Sequence, residues 1–441
     1  MKTVSTKDVH LILAQHMLTD GYDIVLDLEK SQGGYIYDSV SKRKYLDFFT
    51  FFASGAIGLN HPALREPQFL ERLGRAAVNK PSNSDIYTEE MASCVSTFSR
   101  LAIPDYLPHL FFISGGALAV ENCLKAAFDW KVRKNFKKGY KEERGRQIIH
   151  FRNAFHGRSG YTLSLTNTEP VKTNYFPKFD WPRINSPEII FPLTEKSLKE
   201  LKIRERQSLD QIHQAIKANP DDIAAILIEP IQGEGGDKHF RGEFLQSLRV
   251  ICDGHDILLI FDEVQTGIAM TGEMWCHQHF GVRPDLMAFG KKTQVCGLLA
   301  SNRLDEVEQN VFQLSSRLNS TFGGNLVDMV RFEKILKIIE QENLVNNAGE
   351  KGAYLLAGLK NLQHEFPDLV SNVRGKGLFC AFDLPSPAQR DRVKAEAMQN
   401  GMIILGCGDQ SIRCRPRLNI TEDEINEAMK ILSICLKGSQ K

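Results

Sequence analysis

An α/β fold, with a mostly parallel sheet covered by helices on both faces and a smaller α/β domain after it, is predicted by three features of this sequence. Through the middle of the chain, short apolar runs alternate with longer segments of helical period, the pattern of strands joined by crossover helices. From about residue 323 that alternation gives way to long charged helical segments. A length of 441 residues allows one large core and a second, smaller one.

In chain order, residues 1–20 mix charged and apolar side chains without a continuous apolar stretch, so neither a signal peptide nor a membrane anchor is expected there. Residues 30–52 read as a hairpin: Gly33-Gly34, the run Tyr35-Ile36-Tyr37, a polar turn at Asp38-Ser39, then Lys44-Tyr45-Leu46-Asp47-Phe48. Residues 111–113, 147–151, 223–228 and 257–261 are the strand candidates of the large sheet. Between the first two, Val120, Leu124 and Phe128 recur every four residues and form one apolar helix face, which leaves Leu118, Lys125 and Asp129 off it. The Pro-rich stretch 176–192 is expected to be a long surface excursion. Residues 326–340 and 348–365 read as charged helices, and residues 374–384 and 403–404 as strands.

Composition narrows the function classes. Lys plus Arg (55) nearly equals Asp plus Glu (54), so no global field would hold the chain to nucleic acid or an anionic membrane, and an anionic ligand has to be met by a local site. Apolar residues make up 42% and charged residues 25%, the balance of a folded globular protein. The nine cysteines are scattered, with no C-x-x-C and no histidines at metal-ligand spacing. Reduced thiols in a cytoplasmic protein and no metal site are therefore expected.

Four short constellations carry chemistry. Ser114-Gly115-Gly116-Ala117 joins an apolar strand to a helix, where small residues and free amides suit a phosphate, although many such turns are plain connections. Residues 258–267 form a buried strand ending in Asp262-Glu263, and side chains at that end of a parallel strand line the ligand crevice. The run Pro284-Asp285-Leu286-Met287-Ala288-Phe289-Gly290 delivers Lys291-Lys292 into a protected interior, where a lysine loses its charge readily and becomes a Schiff-base nucleophile. A surface pair closing a turn is the plainer alternative. Asn319-Ser320-Thr321-Phe322-Gly323-Gly324-Asn325 offers hydroxyl and amide donors to a phosphate, or is an ordinary polar loop. Phosphate donors, a carboxylate and a lysine are together what pyridoxal phosphate requires.

With those residues assembled, the sequence resembles the class III, omega-type aminotransferases over nearly its full length. The resemblance is carried by residues 49–54, Gly115-Gly116-Ala117-Leu118-Ala119-Val120-Glu121-Asn122, Phe155-His156-Gly157-Arg158-Ser159-Gly160-Tyr161, Ile228-Glu229-Pro230-Ile231-Gln232-Gly233-Glu234-Gly235-Gly236, residues 261–267, residues 290–297 and Arg317-Leu318-Asn319-Ser320-Thr321. It implies fold type I of the pyridoxal-phosphate enzymes, a large domain with a mostly parallel seven-stranded sheet plus a smaller α/β domain. Residues 60–322 would form the large domain and 323–441 the small one, with 1–59 joining the small domain. It implies Lys291 as the Schiff-base lysine, Asp262 as partner of the pyridine nitrogen, Phe155 and Val264 on the two ring faces, and Gln265 on the ring hydroxyl. Gly116 and Ala117 would bind the phosphate, and Ser320 and Thr321 would reach the phosphate in the neighbouring subunit of a homodimer. Arg158, Glu234, Arg413 and Asn319 would handle substrate, with Glu234 neutralising Arg413 until a dicarboxylate needs it. Within the family the resemblance is to enzymes that move the ε-amino group of L-lysine to 2-oxoglutarate, giving 2-aminoadipate 6-semialdehyde and L-glutamate.

Some positions depart from the family pattern. Residues 267–272 read Gly-Ile-Ala-Met-Thr-Gly, without the arginine common at this place. Counting back from Gly297 favours Lys292, whereas counting forward from Asp285 favours Lys291, and strand length makes the forward count the better guide. Arg415 rivals Arg413. Ornithine or 4-aminobutyrate as amino donor, or a non-catalytic binding protein on the same fold, are the competing readings.

Overall fold

Unbroken apolar runs become strands here because both of their faces are covered. In the computed structural model, which describes residues 4–439, seven strands lie side by side in the order His109–Ile113, Cys296–Ala300, Leu286–Phe289, Leu258–Asp262, Ile223–Ile228, Gln147–Phe151, Arg183–Ile184. Cys296–Ala300 runs antiparallel to both neighbours, and the other pairings are parallel. The period of two sorts the strand residues. Ala225, Leu227, Leu258 and Ile260 pack with Val120, Leu124 and Trp130 of the helix Gly116–Lys137. Ile226, Ile228, Leu259 and Phe261 pack with Ile212 of Glu195–Ala218 and Phe244 and Leu248 of Gly242–Gly254. The expected α/β class and seven-stranded sheet are borne out.

Beyond the sheet, the helices Leu326–Gln341 and Leu344–Glu365 are joined through Asn343 in the left-handed region (φ 51). They precede an antiparallel sheet ordered Ser371–Lys376, Phe379–Asp383, Ser411–Cys414, Leu405–Cys407. The expected N-terminal hairpin forms between Tyr35–Tyr37 and Lys44–Asp47 and takes Met402–Ile403 as a third, parallel strand, Met402 opposite Leu46.

One expectation is corrected. Residues 176–192 are not wholly a surface excursion: Arg183–Ile184 is the parallel edge strand, and Trp181, Ile184 and Ile189 are buried. The stacked rings of Phe179 and Trp181, 4.9 Å apart, supply apolar surface, and an edge position tolerates the prolines that made the segment read as a loop. Asp129, off the Val120-Leu124-Phe128 helix face as expected, is also buried, and Arg133 (3.0 Å) and Arg317 pair with it. All nine cysteines are buried and unpaired. No described helix is long and apolar enough to cross a membrane, and no metal-binding cluster occurs among the described residues.

Candidate active site

The carboxyl ends of the parallel strands open on a cleft of about 970 Å³, lined among others by Gly116, Ala117, Phe155, Arg158, Glu234, Asp262, Val264, Gln265 and Lys291. Asp262 ends the strand Leu258–Asp262 and is buried. One carboxylate oxygen accepts the Val264 amide at 3.0 Å, and the other sits 2.8 Å from Nδ1 of the buried His156. A neighbouring imidazole fixes the orientation of the carboxylate without removing it from the cleft.

The two lysines part company at the turn after Leu286–Phe289. Lys291 enters the left-handed region (φ 56) and its side chain lines the cleft. Burial, then the positive Arg413, brings its amine down to about 8. Lys292 points the other way: it is buried, donates to the Gln265 carbonyl at 3.0 Å, and burial holds its pKa well below the ordinary lysine value. Lys291 is the one amine of the pair that faces the cleft.

Opposite them lies an ion pair. Arg413, on Ser411–Cys414, is buried and donates to one oxygen of Glu234 at 2.6 Å. Lys172 donates to the other oxygen at 2.7 Å. Burial alone would raise the Glu234 pKa, but Arg413 and Lys172 hold it at about 2, so the carboxylate is ionised throughout the neutral range. Arg158 is exposed at the cleft and takes part in none of the ion pairs found among the described residues. Neither Arg413 nor Arg415 reaches the cleft lining itself; the Arg415 guanidinium stacks over Phe379 and donates to Asp237 and to Gln265 Oε1 at 3.0 Å. Of the two arginines that rival each other by position, Arg413 is the one paired with the cleft residue Glu234.

Several cleft residues carried no assignment from sequence. Phe51 and Phe52 line one wall from a left-handed turn, Thr50 to Ala53 having φ of 40, 53, 58 and 66. Each such residue costs on the order of 1–2 kcal/mol, and strain of this kind persists only where surroundings over-determine it. Here Asp47 accepts the amides of Phe49 (2.9 Å) and Thr50 (2.7 Å), and the Thr50 hydroxyl donates to the Arg415 carbonyl at 2.7 Å. Glu229, pushed by burial up to about 7, accepts the Phe155 amide at 3.1 Å and the Gly233 amide at 2.9 Å. It thereby ties the Phe155 loop to the Glu234 loop. Asn319, Ser320 and Thr321 are not brought into the cleft of their own chain; Asn319 and Thr321 are exposed.

The class III aminotransferase family matches residues 17–436. The chain belongs to the class III aminotransferases. It is 53% identical over 422 residues to the L-lysine-epsilon aminotransferase of Mycobacterium tuberculosis, covering 96% of this chain and 93% of that one. To the L-lysine-epsilon aminotransferase of Amycolatopsis lactamdurans it is 49% identical over 432 residues, covering 98% and 96%. Among solved structures, the lysine aminotransferase from M. tuberculosis in its internal aldimine form superposes with a TM-score of 0.97 at 51% identity, covering 99% of this chain and 100% of that one.

This class III aminotransferase depends on pyridoxal phosphate, and the cleft fits that group. Gly115 (φ 100) leads into the N-terminus of the 22-residue helix Gly116–Lys137, where free amides and the helix dipole favour a phosphate. A side chain at Gly116 would press on Val264 Cγ1 at 2.9 Å and narrow the space between them. Gly157 (φ 125) has no room for a side chain against Ala117 and Thr162, so the Phe155–Arg158 loop seats directly on that helix start. Phe155, Val264, the buried Asp262 carboxylate and Lys291 line the same cleft as that helix start.

Proposed function

We propose that this enzyme moves the ε-amino group of L-lysine to 2-oxoglutarate, giving 2-aminoadipate 6-semialdehyde, which cyclises, and L-glutamate. The observation that carries this reading is a pair of arginines in different states: Arg158 open in the cleft, and Arg413 buried behind the cleft residue Glu234, which caps it. With lysine bound, Arg158 holds the substrate's own carboxylate, and the ε-end passes a neutralised Arg413. With 2-oxoglutarate bound, Arg158 takes the distal carboxylate and Arg413, released by Glu234, takes the α-carboxylate, each in a charge-assisted pair. The full-length likeness to L-lysine-epsilon aminotransferases supports the same substrate pair.

When bound, pyridoxal phosphate supplies the electron sink for proton transfer at the carbon bearing nitrogen. Lys291 then acts as nucleophile and proton carrier. Asp262, oriented by His156, holds a proton at the ring nitrogen, and Gln265 meets the ring hydroxyl. Phe155 and Val264 confine the ring, and Gly116 and Ala117 hold the phosphate. Asp262→Asn, which keeps the shape and loses the charge, is expected to lower turnover of both half-reactions by about 10²–10³-fold, read from single-turnover kinetics.

The enzyme is proposed to act as a homodimer in which Ser320 and Thr321 complete the partner's phosphate site and Asn319 lies beside its substrate; the exposure of Asn319 and Thr321, and the absence of all three from the lining of their own cleft, support this. Co-refolding inactive Lys291→Ala with a Ser320→Ala, Thr321→Ala variant is expected to restore activity, since a mixed dimer then holds one intact site. No gain over the separate variants overturns the shared site. Residues 60–322 are proposed as the large domain, with 1–59 joining 323–441, a division supported by the pairing of Leu46 with Met402. A cytoplasmic place suits the nine unpaired thiols.

The substrate reading is tested by incubating the holoenzyme with 2-oxoglutarate and, separately, L-lysine, L-ornithine or 4-aminobutyrate, and measuring glutamate and the cyclised product. Lysine is expected to be the fastest donor. Faster turnover of ornithine or 4-aminobutyrate would sink the lysine assignment, and no glutamate with any donor would sink the reaction.

A further inference from the structure

Glu234 is held by two cations, not one. Its carboxylate bridges Arg413 (2.6 Å) and Lys172 (2.7 Å), the two contacts falling on different oxygens. Lys172 comes from the short 3₁₀ turn Pro170–Lys172, on a segment separate from the strand of Arg413. Its amine also lies 5.3 Å above the Phe155 ring and 3.4 Å from Glu169, and it lines the cleft. Only 15% of the Lys172 side chain and 23% of the Glu234 side chain are exposed, so a carboxylate leaving Arg413 here gains little from water.

We propose that Lys172 is the second anchor of the Glu234 switch, the positioning residue that retains the carboxylate when Arg413 is surrendered to a dicarboxylate. The inference rests on the reading of Glu234 and Arg413 given above. In the lysine half-reaction both contacts stay made, and Lys172 is a spectator. In the 2-oxoglutarate half-reaction the contact to Arg413 breaks. A carboxylate with no other partner would then stand unpaired in a largely desolvated cleft, which opposes release. With Lys172 on its free oxygen, Glu234 keeps one charge-assisted bond and pivots about it. One carboxylate oxygen is exchanged with substrate, and the other serves as the hinge. Phe155 beneath the amine and Glu169 beside it keep Lys172 in reach.

The consequence is a one-sided kinetic signature. Lys172→Met in the holoenzyme is expected to raise KM for 2-oxoglutarate, and equally for glutamate in reverse, by roughly tenfold, while the lysine half-reaction changes by less than about twofold. Glutarate, a dicarboxylate that cannot react, is expected to bind the variant roughly tenfold more weakly by calorimetry, and Lys172→Arg is expected to restore most of the loss. Because the effect passes through Glu234, Lys172→Met should add nothing in a Glu234→Gln background. A further rise in the glutarate Kd in that background overturns the proposal, since Lys172 would then touch the dicarboxylate itself. Equal losses for lysine and 2-oxoglutarate, or no loss for either, overturn it too. The underlying switch fails separately and visibly, by a Glu234→Gln variant with wild-type preference between lysine and 2-oxoglutarate.

Discussion

Replacing Lys291 by alanine is expected to remove covalent attachment of pyridoxal phosphate and to lower turnover by about 10⁴-fold or more, because nucleophile and proton carrier are lost together. Borohydride reduction followed by peptide mass analysis reads the attachment directly: a pyridoxyl group on the 291-containing peptide in the parent protein and none in the variant. A pyridoxyl group fixed to Lys292 in the variant would move the role there. The geometry opposes that outcome, since the Lys292 amine is turned to the Gln265 carbonyl behind the cleft wall. Lys292→Met is accordingly expected to keep the pyridoxyl group and to show its effect in stability, by about 1–3 kcal/mol. Lys291 also carries a pH signature. Burial and then Arg413 bring its amine to about 8, so the neutral, nucleophilic form is half populated there instead of near the ordinary lysine value. In cofactor-free protein, acetylation of Lys291 is expected to rise with pH and level off above about 8, while exposed lysines keep gaining reactivity toward 10.

How far the sequence reached depends on whether the deciding interaction is local. Ile223–Ile228 and Leu258–Asp262 were legible because a strand covered on both faces needs an unbroken apolar run. The same logic placed Asp262 and Lys291, each sitting just where such a run ends. Arg183–Ile184 was not legible, because two residues beside prolines have no periodicity and are made a strand by pairing with His150 and Phe151. The Thr50–Ala53 turn has no glycine to announce its left-handed backbone; Asp47 and the Arg415 carbonyl impose it. The neighbours of the assigned residues come from far along the chain. His156 meets Asp262 across 106 positions, and Lys172 meets Glu234 across 62. A motif can name one partner of such a pair, but only the fold brings the second.

Arg413→Met is expected to lower kcat/KM for 2-oxoglutarate by about 10²–10³-fold, the scale of removing one partner from a buried charged pair. The lysine half-reaction is expected to lose less than about tenfold, because its reacting end carries no carboxylate for the guanidinium to meet. The split between the two is the informative quantity. Arg415 supplies the contrast: it is as buried as Arg413, yet its guanidinium is committed to Asp237 and Gln265 and makes no contact with Glu234. Arg415→Met should therefore depress both half-reactions together. If Arg413→Met did the same, the α-carboxylate site would have to be sought elsewhere. The switch should also be indifferent to pH in the working range. The Glu234 pKa lies at about 2, below the ordinary glutamate value, so protonation opens the pair only in strong acid. Across the neutral range nothing but a competing carboxylate removes Glu234 from Arg413. Discrimination between a cationic amine end and an anionic carboxylate end then comes from an exchange of partners at one guanidinium. A 2-oxoglutarate KM free of any break from Glu234 between about pH 5 and 9 is the expected readout.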